Sequence, residues 1–246
     1  MDISRGHKRW KNFQSKIKTL GNHFPILKEG KILDLGCGRG EFVLAGLENG
    51  YDVFGIDVQK HYVDTYRKIN QKLLEKHCIL YDGEHIPFPS NVFSCVYSWF
   101  VLEHISNLAE VLRETSRVTQ KGGGIILFAQ DARTCWEGHA NIPWLPFMPK
   151  YLIQDWLRIF DKESYLDYIV NHVHYVTTSQ VTAILEACDC KIVEQSSTPK
   201  SLIPEHTEVE SVEDLQKVAT SIKQLWEEDS YTMQQHNNIT IVAVKN

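Results

Sequence analysis

KILDLGCGRGEF, Lys31 to Phe42, is a short apolar run, then three glycines (Gly36, Gly38, Gly40), then the start of a helical pattern. A strand-to-helix turn of this kind needs glycine. Positive φ angles cost it little, a ligand can approach its bare backbone, and the first N–H groups of the helix point unsatisfied at whatever binds. Dinucleotide-binding turns obey the same logic with G-x-G-x-x-G, but here the third glycine comes one residue early. Glu41 also sets a carboxylate where a pyrophosphate would lie, which Coulomb repulsion opposes. The turn therefore reads as a cradle for a zwitterionic ligand rather than a dinucleotide, although an unliganded tight turn needs the same residues.

Outward from the turn, short apolar runs alternate with helical patterns, the signature of a parallel sheet with helices on its faces. Strands are expected at Lys31 to Leu35, Asp52 to Ile56, Cys78 to Tyr81, Val92 to Ser98, Gly124 to Ala129, Lys191 to Gln195 and Asn238 to Val244. Helices are expected at Glu41 to Asn49 and His61 to Glu75, and Leu108, Val111, Leu112, Thr115 and Val118 recur as one helix face. After residue 130 the pattern breaks into DARTCWEGHANIPWLPFMPKY, where Pro143, Pro146 and Pro149 forbid a regular helix. Thr178 is expected to cap the next helix, and a helical insertion over Ser211 to Glu228 precedes the last strand.

Two carboxylates sharpen the ligand. Asp57 ends the second strand twenty-one residues after Gly36, where it can accept from both hydroxyls of a ribose. Asp82, in YDGEHIPFP, ends the third, where it can accept from the exocyclic amine of an adenine. Either acid alone is equally ordinary turn chemistry; with the glycine loop they outline one nucleoside.

DLGCGRG, GIDV, YDGEHIPFP and FSCVYSWFVLEHI, in that order, resemble a class I S-adenosylmethionine-dependent methyltransferase of the small-molecule branch. The likeness is strong from Lys31 to about Ala129. It implies an α/β, Rossmann-like seven-stranded mixed sheet with helices on both faces. The last strand would run antiparallel between the fifth and sixth, and lid insertions would follow the fifth and sixth strands. One domain would span 1–246: a helical segment 1–30, a cofactor-binding core 31–129, and substrate-side insertions 130–176 and 200–237. The cofactor is then S-adenosylmethionine, with S-adenosylhomocysteine as product. By that likeness Asp34 and the loop Gly36, Cys37, Gly38 and Gly40 face the methionine part, and Asp57 and Val58 the ribose. Asp82, Gly83 and Glu84 face the adenine, and Ser98 and Trp99 offer carbonyls to the amino group.

Methyl transfer from a sulfonium is an in-line displacement that needs alignment first and a general base only for acceptors such as hydroxyls. His104, after the fourth strand, and His139, in the insertion, are the candidate bases. Each has a bland alternative, as a capping or a solvated loop histidine. Phe100, Trp136 and Trp144 are candidates for an apolar acceptor wall that would also suit the sulfonium, or else for plain core. Relatives with E-x-x-E-H after the fourth strand bind a metal. Here Phe100 replaces the first acid, so no metal is expected, and His172–Tyr175 (HVHY) is left without a role.

A net charge of −5 argues against a nucleic-acid partner, and no apolar run approaches the roughly 20 residues of a membrane span. A cytoplasmic protein with a small-molecule methyl acceptor is expected, its six cysteines reduced. Residues 1–31 hold eight Lys/Arg and residues 201–230 eight Asp/Glu, which solvated helix faces explain without contact between them. The competing readings are a nucleic-acid methyltransferase and a cofactor-binding protein without catalysis.

Overall fold

A computed structural model of the chain describes residues 3–20, 30–69, 76–196, 211–228 and 238–246. Its elements are α1 (Ile3–Leu20), β1 (Lys31–Leu35), α2 (Glu41–Glu48), β2 (Asp52–Asp57), α3 (Lys60–Ile69), β3 (Cys78–Leu80), β4 (Phe93–Trp99), α4 (Leu108–Val118) and β5 (Thr119–Gln130). After them come β6 (Trp136–Glu137), β7 (Ile142–Pro143), α5 (Lys150–Ile159), α6 (Leu166–His172), α7 (Thr178–Ala187), β8 (Cys190–Gln195), α8 (Val212–Glu228) and β9 (Asn238–Lys245). The expected continuation of α3 over 70–75 lies outside the described residues.

Seven strands form one sheet in the order β3-β2-β1-β4-β5-β9-β8. β9 is antiparallel to both neighbours and lies between β5 and β8, while the pairs from β3 to β5 are parallel. The fold is thus the Rossmann-like mixed sheet that the resemblance implied, its parallel part the one that the alternating pattern announced. β5 runs longer than the sequence suggests, because Thr119 already pairs with Phe93 across the glycines.

The two faces of the sheet bury different chemistry. One face takes aliphatic residues of α4 and α7, such as Val111, Leu112, Val181 and Leu185. The other is aromatic. Trp10 and Phe13 of α1 meet Phe42 of α2, which stacks on Tyr97 of β4 with ring centres 4.4 Å apart. A third cluster joins the two insertions, with Trp144, Ile153, Trp156 and Ile169 packed on Leu215, Ala219 and Ile222 of α8. α8 therefore covers the segment after β5, and α1 pairs Arg9 with Asp34 and Lys16 with Glu194.

One local expectation is corrected. The cap of α7 is Thr177, whose hydroxyl accepts from Gln180 N at 3.2 Å, while Thr178 Oγ1 donates to the buried Asp131. The prolines keep the stretch from 131 to Pro149 free of helix, and α5 starts only after Pro149, extended at φ −60°.

α1 crosses the start of α2 at Gly6, where an added Cβ would lie 2.3 Å from Glu41 O, a backbone atom that cannot yield. In a free helix Gly→Ala gains about 1 kcal/mol. Here overpacking outweighs that gain, and Gly6→Ala is expected to lower stability by about 1–3 kcal/mol in urea unfolding; a raised midpoint would show that α1 does not seat at this crossing.

Candidate active site

β1 hands the chain to α2 through Gly36, Gly38 and Gly40, all at positive φ (75°, 53°, 74°). Gly36 has no room for a side chain, since a Cβ would lie 2.3 Å from Val101 Cγ2. Gly36 N and Cys37 N both donate to Ile56 O at 2.9 Å, Gly38 N donates to Asp57 Oδ2 at 2.7 Å, and Gln59 N to Asp57 Oδ1 at 2.8 Å. One carboxylate thus ties the loop to the end of β2. It keeps lone pairs free on the ligand side, which is what a ribose diol requires.

A cavity of about 1260 Å³ opens over these strand ends, next to the β1/β4 junction where strand order reverses, as ligand sites in open α/β sheets do. It is larger than the roughly 300–1,000 Å³ of most ligand pockets. Its wall brings together Gly36, Cys37, Gly38, Asp57, Val58, Asp82, Gly83, Trp99, Phe100, His104, Trp136 and His139. Val58 is half exposed there, an apolar face of the kind an adenine ring covers. Phe100 sits at φ 54°, a strained conformation for a bulky residue of a kind that concentrates at functional sites.

Five expected residues are not on that wall. Asp34 is fully buried and accepts from Arg9 Nη2 at 3.0 Å, and of the two it is Arg9 that lines the cavity. Ser98 is buried, donating to Leu35 O. Gly40 caps α2 from beneath the loop, and Glu84 is exposed, with Asn107 at 3.4 Å. Trp144 is 4% exposed, held in the core that the insertions build for themselves. Asp82 reaches the cavity but also caps its own turn, accepting from Glu84 N and His85 N; these bonds hold its carboxyl below the usual range.

The two candidate histidines meet. His139 Nε2 lies 3.3 Å from His104 Nε2, although thirty-five residues separate them in sequence. His104 Nδ1 is 2.8 Å from the carbonyl of His172, so it carries the proton, and a neutral His104 keeps a lone pair on Nε2. His139 Nδ1 is 2.6 Å from Glu137 Oε1, and Glu137 is buried, with Ala140 N on its other oxygen. For the two Nε2 atoms to share a hydrogen, His139 must supply it, which makes His139 an imidazolium on Glu137. The titration directions agree. Burial and the neighbouring His139 push His104 below the ordinary histidine value. Burial acts the same way on His139, but the bond and charge of Glu137 outweigh it and raise the value. Tyr168 closes the group, its ring 5.2 Å from His139 and 5.9 Å from His104.

Sequence reasoning passed over two residues of the site. Arg9 is one: nearly buried, it lies over the rings of Phe42 and Tyr97 at 5.3 and 5.5 Å, and its Nε has no hydrogen-bond partner among the described residues. Burial raises the Asp34 carboxyl to about 6 against the pull of Arg9. Glu137 is the other, and the E-x-H spacing beside the candidate base could have marked it. HVHY also finds a place: His174 N donates to Glu103 O at 2.7 Å and His172 O holds His104, so this segment clamps the turn after β4. Among the described residues no group of three or more His, Cys, Asp or Glu is arranged to hold a metal ion, and no helix is long and apolar enough to cross a membrane.

Comparison with known proteins agrees with this geometry. Over 93% of this chain and 96% of the other, the fold superposes with a TM-score of 0.57 and 17% identity on an S-adenosylmethionine-dependent methyltransferase from Mesorhizobium loti. It also superposes on the [4+2]-cyclase SpnF, with a TM-score of 0.55, 15% identity, and 94% and 80% of the two chains covered. Residues 33–127 match the methyltransferase domain family. The chain is 34% identical to the malonyl-[acyl-carrier protein] O-methyltransferase of Serratia marcescens over 99 residues, 40% of this chain and 37% of that one. It is 26% identical to the demethylmenaquinone methyltransferase of Lysinibacillus sphaericus over 165 residues, 66% of each. It spans between about a third and two thirds of the length of the curated relatives it matches.

Titration of the histidine ring signals by NMR is expected to show His139 holding its proton to higher pH than His104. Glu137→Gln should bring His139 down toward or below 6.5, the ordinary value. The reverse order, or no response to Glu137→Gln, contradicts the assignment.

Proposed function

We propose that this protein transfers the methyl group of S-adenosylmethionine to an oxygen or nitrogen of a small-molecule acceptor. The observation that carries the reading is one cavity shared by two sets of residues: the Gly36–Gly38 loop with Asp57 and Val58, and the His104–His139 pair, which Glu137 holds from behind the wall. Bound there, the cofactor supplies an electrophilic methyl group on a sulfonium. The chain supplies the rest. Asp57 accepts from the ribose hydroxyls, Val58 and the backbone of Gly83 border the adenine, and Arg9 with Arg5 faces the carboxylate of the methionine part. Trp99 and Phe100 turn aromatic surface toward the sulfonium, which a positive charge favours.

At rest the single Nε2 lone pair of neutral His104 accepts the hydrogen of His139 Nε2. An incoming acceptor takes the place of His139 at that atom, and His104 Nε2 receives its proton as the methyl group passes to the acceptor's oxygen or nitrogen. His139, protonated on Glu137, stays cationic throughout. Alignment accounts for most of the acceleration, about 7–11 kcal/mol of barrier at best, and the base for a further 10²–10⁴. The reading with cofactor bound and no methyl transfer is favoured by one observation, a solved neighbour named as a cyclase. Release of S-adenosylhomocysteine across a panel of hydroxyl and amine compounds separates the two.

Calorimetry tests the cofactor half. S-adenosylhomocysteine is expected to bind, NAD to bind far more weakly, and Arg9→Gln to weaken S-adenosylhomocysteine about tenfold or more, the worth of a charge-assisted hydrogen bond. The same variant should leave 5′-methylthioadenosine, which has no carboxylate, nearly unchanged. Equal losses for both ligands would remove Arg9 from the site, and tight NAD binding would remove the whole reading.

A further inference from the structure

Behind the histidine pair the cavity adjoins a side chamber of about 120 Å³. Glu103 and Gln130 line both spaces. Most polar groups around the chamber are engaged. Asp131 pairs with Arg133 at 2.6 Å, Thr134 donates to Trp136 O, Lys150 to Val170 O, and Tyr175 to Met148 O. Glu103 differs. It is 2% exposed, and its Oε2 is the one chamber atom among the buried side-chain N and O atoms that have no hydrogen-bond partner among the described residues. No described cation lies within ion-pair distance of it, whereas the neighbouring Glu137 has His139.

Leaving a buried carboxylate oxygen unpaired costs several kcal/mol in general, so a fold that keeps one has either a use for it or a penalty to carry. Burial raises the Glu103 carboxyl to about 7, so the folded state holds this proton more tightly than the unfolded chain does. Stability from Glu103 is therefore lost as pH rises through about 7, and a neutral isostere at this position is expected to gain stability in alkali. A residue that weakens its own fold while facing the reaction space behaves as a ligand-binding group.

Resting on the reading of the cavity as a methyl-transfer site, we propose that Glu103 touches the acceptor. Its Oε2 accepts a hydrogen bond from a hydroxyl next to the one that gives its proton to His104, so the acceptor class is a neutral vicinal diol, as in a sugar or other polyol. Glu103 and His104 are consecutive in the turn after β4 and face the same space; Glu103 offers its free Oε2, His104 offers its Nε2 once the acceptor takes the place of His139 there, and a pair of adjacent donors satisfies both. Glu137 close by disfavours an anionic group in the chamber.

The test uses the whole chain saturated with S-adenosylhomocysteine and two probes, cis-1,2-cyclohexanediol and cyclohexanol, followed by amide shifts in NMR titrations. The diol is expected to bind at least about fivefold tighter, the worth of one hydrogen bond, with the preference lost in Glu103→Gln and in Glu103→Asp, which withdraws the carboxylate by one methylene. Glu103→Gln should also melt at or above the wild-type temperature at pH 8, where a structural role would lower it. Equal binding of the two probes by the wild type, a preference kept in both variants, or a lower melting temperature for Glu103→Gln overturns the proposal. Failure of S-adenosylhomocysteine to bind the wild type sinks the cofactor reading instead, so the two failures are distinct.

Discussion

The close approach at Gly36 is the constraint on which the rest of the structure depends. With a Cβ excluded by Val101 and two successive N–H groups drawn onto Ile56 O, the chain leaves β1 in one direction only. That direction sets the start of α2, presents Gly38 N to Asp57, and brings the loop against the segment after β4 from which Glu103 and His104 come. A left-handed turn closed over a neighbouring strand's side chain cannot be loosened without moving both halves of the site. Cofactor loop and candidate base are coupled through packing, not through the ligand alone.

Buried charge is handled on the same principle throughout the site. Asp34 has Arg9, Asp131 has Arg133 and Glu137 has His139, each with its partner at 3.0 Å or less. Pairing of this kind rarely adds net stability, because desolvation offsets the Coulomb gain. What it does here is fix positions: Arg9 over the aromatic face, and His139 against His104. Glu103 breaks the pattern, and it does so at the junction of the two cavities.

The sheet was legible in the sequence because its determinants are local. Apolar runs of four to seven residues ending in Gly or Asp announce strand ends, and G-x-G-x-G with Asp57 marks a cradle from spacing alone. The acceptor side was less legible. That His104 and His139 touch depends on a thirty-five-residue excursion held by Gln130, which bonds both Trp136 O and Gly138 N, and no periodicity encodes such a bond. Trp144 reads from sequence as a pocket wall; it lines the side chamber while packing into a core that α8, far along the chain, completes. Asp34 reads as a ligand contact, and only the seating of α1 shows that of the two it is Arg9 that lines the cavity. In each case the residue type was informative and its tertiary partner was not.

The most direct measurement is a crystal structure of the chain with S-adenosylhomocysteine bound. The account predicts ribose hydroxyls on Asp57, the carboxylate end near Arg9, and the sulfur turned toward the His104–His139 pair, with free space between sulfur and His104 Nε2 for an acceptor. A nucleoside lying against the histidines instead, or a sulfur facing away from them, would contradict it.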